Sequence, residues 1–262
     1  MRILIKGISF LLITLVFLIG EDVFCAELPW QKRECNHFII YYRKEVPEDY
    51  IEQVAAKMEE YYTSISANLG FNVYEFWLWE KRAKIYIFQD AAEYQKEAKQ
   101  PAWSGGAVSL RHKIIKTYPW NEGFFDKLLP HELGHLMFHE FVGFKNNIPL
   151  WLDEGVAISQ EKSDIKNYSI MMKGLRVSLP FNKLHNISTK TLVVPEIFYV
   201  QSASIVDYLL TQFGKDAFLK FCNSLKNGQT VEESISSAYH FRDLKQFNQA
   251  WLEYLRLLGN DK

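Results

Sequence analysis

Residues 130–135 read Pro-His-Glu-Leu-Gly-His, and this short run constrains the fold more than any other stretch of the chain. On an α-helix, residues four apart differ by about 40° in bearing and about 6 Å in rise. His131 and His135 therefore project from one side and can reach a single tetrahedral ion. Imidazole nitrogen suits Zn²⁺ at about 2.0–2.1 Å. Glu132 stands beside the first imidazole, where its carboxylate can approach a reacting water without ligating the metal. A catalytic zinc needs a third protein ligand and one open position. Trp151-Leu152-Asp153-Glu154-Gly155 supplies it in Glu154, with eighteen residues between it and His135. That is enough chain to leave one helix, turn and return on a second, with Gly143 ending the first and Pro149 opening the second. Pro130 fits if the first helix starts near residue 129 or kinks there.

Other zinc patterns are excluded. The extended form H-E-x-x-H-x-x-G-x-x-H would need Gly and His where Phe138 and Phe141 stand. No Cys pair has structural-zinc spacing. His139 continues the four-residue ladder and reads as a flanking polar residue, while His37, His112, His185 and His240 stand alone.

The remaining chain supplies strands first and helices afterwards. His37 to Tyr42, Lys84 to Phe88, Ala107 to Leu110 and Lys113 to Tyr118 read as strands. Between the first two, Ile51, Val54, Met58, Tyr61, Ile65 and Leu69 recur at helical spacing from Pro47 to Gly70. Asp90 with Glu93 marks a helix start, and Thr230 with Glu233 a capping box. Helices are predicted over 124–142, 149–161, 198–213, 216–227, 230–240 and 242–257, and 162–194 reads mostly as loop. The expected class is α+β: a small mixed sheet with helices in an N-terminal lobe, the His-bearing helix, then a helical C-terminal lobe. No repeat or linker interrupts residues 26–262, so one domain is expected there, with lobes of about 36–145 and 146–262.

Apolar residues make up 48% of the 262, enough for a sizeable core, and the 15% aromatics read as core packing. Net charge is −1 and no basic block could track a phosphate backbone, so nucleic acid is excluded as a partner. At the N-terminus Arg2 and Lys6 precede an apolar run from Ile8 to Ile19. This predicts export through a secretory signal over 1–25, cleaved after Cys25, or retention of that segment as a membrane anchor. Cys35 and Cys222 would remain, either paired or as two buried free thiols.

HELGH at 131–135, WLDEG at 151–155 and YVQSASIVDYL at 199–209 together resemble the peptidase-MA-like gluzincins, relatives of thermolysin and the large zinc aminopeptidases. The opening HFIIYY with its long amphipathic helix and the helical C-terminal run extend the resemblance to about residues 36–257. It implies a zinc peptidase acting on a peptide or protein, with His131, His135 and Glu154 as ligands and Glu132 as general base and proton shuttle. It implies that Tyr199 donates a hydrogen bond to the tetrahedral oxyanion, unless it is an ordinary helix-start aromatic. It also implies that an edge strand through Gly106, Ala107 and Val108 binds substrate backbone. Two departures stand out. The aminopeptidases carry a glutamate in that strand to hold a free amine, and Val108, Ser109 and Leu110 offer none, which favours cleavage within chains; Asp153 and Glu161 are acids able to come near in space. Thermolysin has an Asp four residues beyond its glutamate ligand, where this chain has Ile158, so the groups orienting the imidazoles stay unidentified. A non-catalytic exported binding or assembly module with the same fold is the rival reading, and the intact Glu132 favours the enzyme.

Overall fold

Phe38–Tyr42 is almost wholly buried, which is why it reads as an unbroken apolar and aromatic run rather than an alternating one. It is β2 of a five-stranded sheet formed with β1 (Gln31–Glu34), β3 (Ala83–Ile87), β4 (Gly106–Ser109) and β5 (Ile114–Thr117). The order is β1-β2-β3-β5-β4. The three central strands β2, β3 and β5 run parallel, and β1 and β4 are antiparallel edges. The computed structural model describes residues 30–71, 76–102, 104–119, 123–144, 148–162, 166–175, 177–188, 191 and 195–258. The expected export segment 1–25 lies outside the described residues. Among the described residues no helix is long and apolar enough to cross a membrane.

Helix α1 (Glu48–Asn68) has Glu48 and Asp49 in its first turn, where acids complement the helix dipole, and buries Ile51, Val54, Met58, Tyr61 and Ile65 as the periodicity predicts. α2 (Ala91–Glu97) is capped by the Asp90 side chain, which accepts from Glu93 N at 2.9 Å. The next helix opens with a single π-helical turn, Phe124–Leu128, and becomes regular as α3 (Leu129–Val142). Pro130 falls in the first turn of α3, where its missing N–H costs little. After α4 (Leu150–Ile158) come α5 (Lys166–Leu175) and α6 (Phe181–His185), then α7 (Pro195–Lys226), α8 (Val231–Tyr239) and α9 (Leu244–Leu257). One core runs from the sheet through α1, α3, α4 and α7 to Trp251 and Leu255 of α9. The class is α+β, a small mixed sheet followed by a mostly helical half.

Two sequence expectations need correction, and one strand carried no signal in the sequence. β1 was not expected, because Gln-Lys-Arg-Glu is exposed throughout and only backbone pairing to β2 makes it a strand. The stretch 162–194 is not mostly loop, since α5 and α6 lie within it. α5 escapes a hydrophobic template because the core-facing Ser169 is polar and is satisfied by Ser204 and Asp207 of α7. The two helices expected at 198–213 and 216–227 are both present within α7, divided at Gly214, whose φ of 77° and ψ of 169° are not helical. The helix expected to run to 161 ends at Ile158. The capping box at Thr230 and Glu233 is present as read. Cys35 is half-buried, Cys222 is buried, and both are free thiols.

Candidate metal centre

α3 is buried along nearly its whole length and packs against α1, α4 and β4. Two motif glycines bring the helices together. A Cβ on Gly134 would lie 3.0 Å from Ala157 Cα, and one on Gly155 only 2.5 Å from the Ser202 carbonyl oxygen. Gly134 thus sets how closely α3 meets α4, and Gly155 how closely α4 meets α7. Trp151 at the start of α4 is wholly buried, packs edge-on against Phe181 and donates to His185 Nδ1 at 3.4 Å.

This packing gathers His131, His135 and Glu154 into one buried cluster able to hold a metal ion. His131 Nε2 and His135 Nε2 stand 3.2 Å apart, and Glu154 Oε2 lies 3.6 Å and 3.8 Å from them. Two donors about 2.0–2.1 Å from a tetrahedral ion stand about 3.3–3.4 Å apart, so the three atoms have the spacing of a shared ligand set. Glu154 Oε2 is buried without a hydrogen-bond partner, a costly state for a carboxylate oxygen that a cation would relieve. Nitrogen, nitrogen and carboxylate oxygen are donors that zinc accepts.

The outer nitrogens of both imidazoles are occupied. His131 Nδ1 is 2.9 Å from Glu161 Oε1, and His135 Nδ1 is 2.7 Å from Asp153 Oδ1. A carboxylate on Nδ1 fixes each ring's tautomer with Nε2 free to ligate, and raises its basicity. Burial disfavours charge on His131, but Glu154 and Glu161 outweigh it and hold its pKa well above the ordinary imidazole value. The same contest, with Asp153 as the main opposing group, raises that of His135. Burial alone would push Asp153 up, yet His135 and His139 hold it far below the usual carboxylate range. These are the orienting groups that sequence reading left unidentified. Ile158 is buried and apolar, and Glu161, beyond the end of α4, orients His131 from outside the motif. Both acids are legible in the sequence as able to come near in space, but their roles are not, because the reach of Glu161 depends on the turn after α4. His139 is indeed not in the ligand cluster. Its Nε2 lies 3.1 Å from Asp153 Oδ1, at ion-pair distance but not aligned for a hydrogen bond, and its ring stacks over Phe144.

Glu132 is fully buried on the turn of α3 that faces β4. A Cβ on Gly106 would sit 3.4 Å from Glu132 Oε1, so the start of the edge strand lies beside this carboxylate. Ser104 Oγ donates to the Gly106 carbonyl at 2.9 Å and pairs with Tyr94 Oη at 2.8 Å, while Thr117 Oγ1 donates to the Gly105 carbonyl at 2.8 Å. These bonds fasten the turn leading into Gly106, Ala107 and Val108, all of which lie on β4. Tyr199 is half-buried in the first turns of α7, and burial together with the nearby Glu154 carboxylate pushes its phenol far above the ordinary range. The sequence-read residues thus converge on one region: the three ligand candidates, Glu132, the edge strand and Tyr199.

Among curated proteins, none matches the chain. The family model of the peptidase MA superfamily matches residues 78–257, which contain β3 to β5 and every helix from α2 to α9. With well over half of its length matched, and with the two-histidine, one-glutamate cluster at the centre of the match, the chain belongs to the peptidase MA superfamily.

Proposed function

We propose that the protein is an exported zinc metallopeptidase that cleaves within peptide chains. The observation that carries this reading is the spacing of His131 Nε2, His135 Nε2 and the unbonded Glu154 Oε2, with Glu132 buried one residue along the same helix. Zinc, when bound, supplies the Lewis acid that makes water nucleophilic near neutral pH and polarises a carbonyl. His131, His135 and Glu154 would hold it. Glu132 takes the proton of the attacking water and passes it to the leaving amine. Tyr199 keeps its own proton because burial and Glu154 disfavour the phenolate, so it is suited to donate to the oxyanion as the carbonyl becomes tetrahedral. β4 is an edge strand among the described residues, and an extended peptide can pair with it as an added strand, beside Glu132.

Cleavage within chains is supported by where the nearby acids are committed. Asp153 serves His135 and His139, and Glu161 serves His131 and lies 3.5 Å from the Tyr168 hydroxyl. β4 itself carries Gly, Ala, Val and Ser. None of these groups is left to hold a substrate ammonium. Export rests on the basic start and apolar run of residues 1–25.

The test is elemental analysis of the purified protein joined to a peptide-library digest. Wild type should carry one zinc and cut peptides, His135→Ala should lose the metal, and Glu132→Gln should keep it while turnover falls at least about a hundredfold. Full metal retention by His135→Ala overturns the ligand assignment. Undiminished activity of Glu132→Gln removes it as the base.

A further inference from the structure

The strand register lays one transverse row across the sheet face opposite Glu132. Tyr41 of β2 pairs with Tyr86 of β3, Tyr86 with Lys116 of β5, and Lys116 with Ala107 of β4. Residues in such a row point to the same face, while their chain neighbours Gly106, Val108, Ile115 and Thr117 point to the other. The row therefore ends at the edge where the proposed substrate strand would be added. Its last two members are an alanine and, one strand in, a lysine.

Lys116 is unusual in its surroundings. It is half-buried, and burial alone pushes its ammonium below the ordinary lysine range. Among the described residues no carboxylate forms an ion pair with it, whereas Lys113, three residues earlier, is paired with Glu140 at 3.1 Å. A half-buried cation without a partner is costly, and a counter-charge brought by a ligand relieves that cost. Ala107 beside it is buried and carries only a methyl group, so no long side chain of β4 stands between Lys116 and the edge in this row. A strand added to β4 would place one of its residues next in the row, two strand spacings or about 10 Å from Lys116. A lysine and a glutamate side chain reaching toward each other over an alanine close that gap, as long side chains do between cross-strand neighbours. Gly106, one residue before Ala107, is the position beside Glu132, so the residue in the row falls close to the scissile bond.

We infer that Lys116 is a specificity residue, selecting peptides that carry an acidic side chain at the position paired with Ala107, within two residues of the cleaved bond. The inference rests on the proposed edge-strand binding of substrate and goes beyond it in naming the substrate class. Lys116 touches no reacting atom, and its effect is on which peptide is accepted. Charge pairing supplies attraction for glutamate and aspartate, and the same ammonium repels lysine and arginine, so both signs contribute to the selection.

The experiment uses three decapeptide pools, randomised except at one central position that carries Glu, Gln or Lys. Each pool is digested by the full protein with zinc and read by mass spectrometry. Binding of the same pools to Glu132→Gln is followed by fluorescence anisotropy. For wild type, kcat/KM should fall in the order Glu, Gln, Lys at one position within two residues of the cut, with at least about tenfold between the extremes. Lys116→Met keeps the aliphatic stem and should cleave the Gln pool at the wild-type rate while losing the discrimination. Lys116→Glu should reverse the order. If wild type cleaves the three pools alike, or Lys116→Met keeps the preference, the inference falls while the peptidase reading stands. If nothing is cleaved but Glu132→Gln binds the Glu pool selectively, the peptidase reading falls and the acidic subsite stands. If nothing is cleaved or bound selectively, both fall.

Discussion

The Asp153 carboxylate meets His135 Nδ1 at 2.7 Å and lies 3.1 Å from His139 Nε2, so the residue just before the ligand Glu154 orients one of the two candidate imidazole ligands. A neutral amide in its place keeps the shape and one acceptor but loses the charge that makes the imidazole a stronger donor. Asp153→Asn should therefore weaken zinc binding by about 10–100-fold. Competition against a chelator of known affinity measures it, and an unchanged zinc affinity would reduce Asp153 to a packing residue.

Gly155 should tolerate no side chain. An added Cβ would stand 2.5 Å from the Ser202 carbonyl and 2.7 Å from Val206 Cγ2, and backbone cannot move aside as a flexible side chain can. Gly155→Ala should cost about 1–3 kcal/mol by forcing α4 away from α7. Gly174 in α5 is the control, since nothing lies within 4 Å of a Cβ built there. Gly174→Ala should be neutral or stabilise by about 0.5–1 kcal/mol through the better helix former. Urea unfolding of the two variants reads the contrast, and equal midpoints would contradict the packing described for α4 and α7.

Tyr199→Phe removes one hydroxyl and little else. Loss of a single oxyanion donor typically lowers kcat by about 10²–10³. KM and zinc content should stay near wild type, because the hydroxyl is proposed to act only once the carbonyl becomes tetrahedral. Steady-state kinetics with parallel metal analysis decide it, and an unchanged kcat returns Tyr199 to a packing role.

Cleavage within chains has its own readout. One susceptible peptide is offered with a free and with an acetylated N-terminus, and products are identified by mass. Both forms should be cut internally at similar rates, since Asp153 and Glu161 are already engaged by imidazoles. Stepwise loss of N-terminal residues from the free form alone would contradict the proposal and point to a carboxylate that holds the amine.

Local patterns in the sequence were enough for much of this molecule. The helical spacing of Ile51 to Leu69 is α1, the caps at Asp90 and Thr230 start α2 and α8, and the apolar runs became β2 and β3. His131, His135 and Glu154 were legible too, because helix periodicity and chain length between motifs are properties of sequence alone. Tertiary structure decided the rest. β1 is a strand through its backbone pairing to β2, and α5 turns a polar residue, Ser169, into the core against α7. The motif glycines have no meaning until α3, α4 and α7 are in contact. Glu161 meets His131 across thirty positions of chain, and Lys116 stands beside Ala107 through a register between two strands. Such pairings are set by packing between distant segments, where burial and unmet polar groups select one arrangement, and no local period in the sequence encodes them.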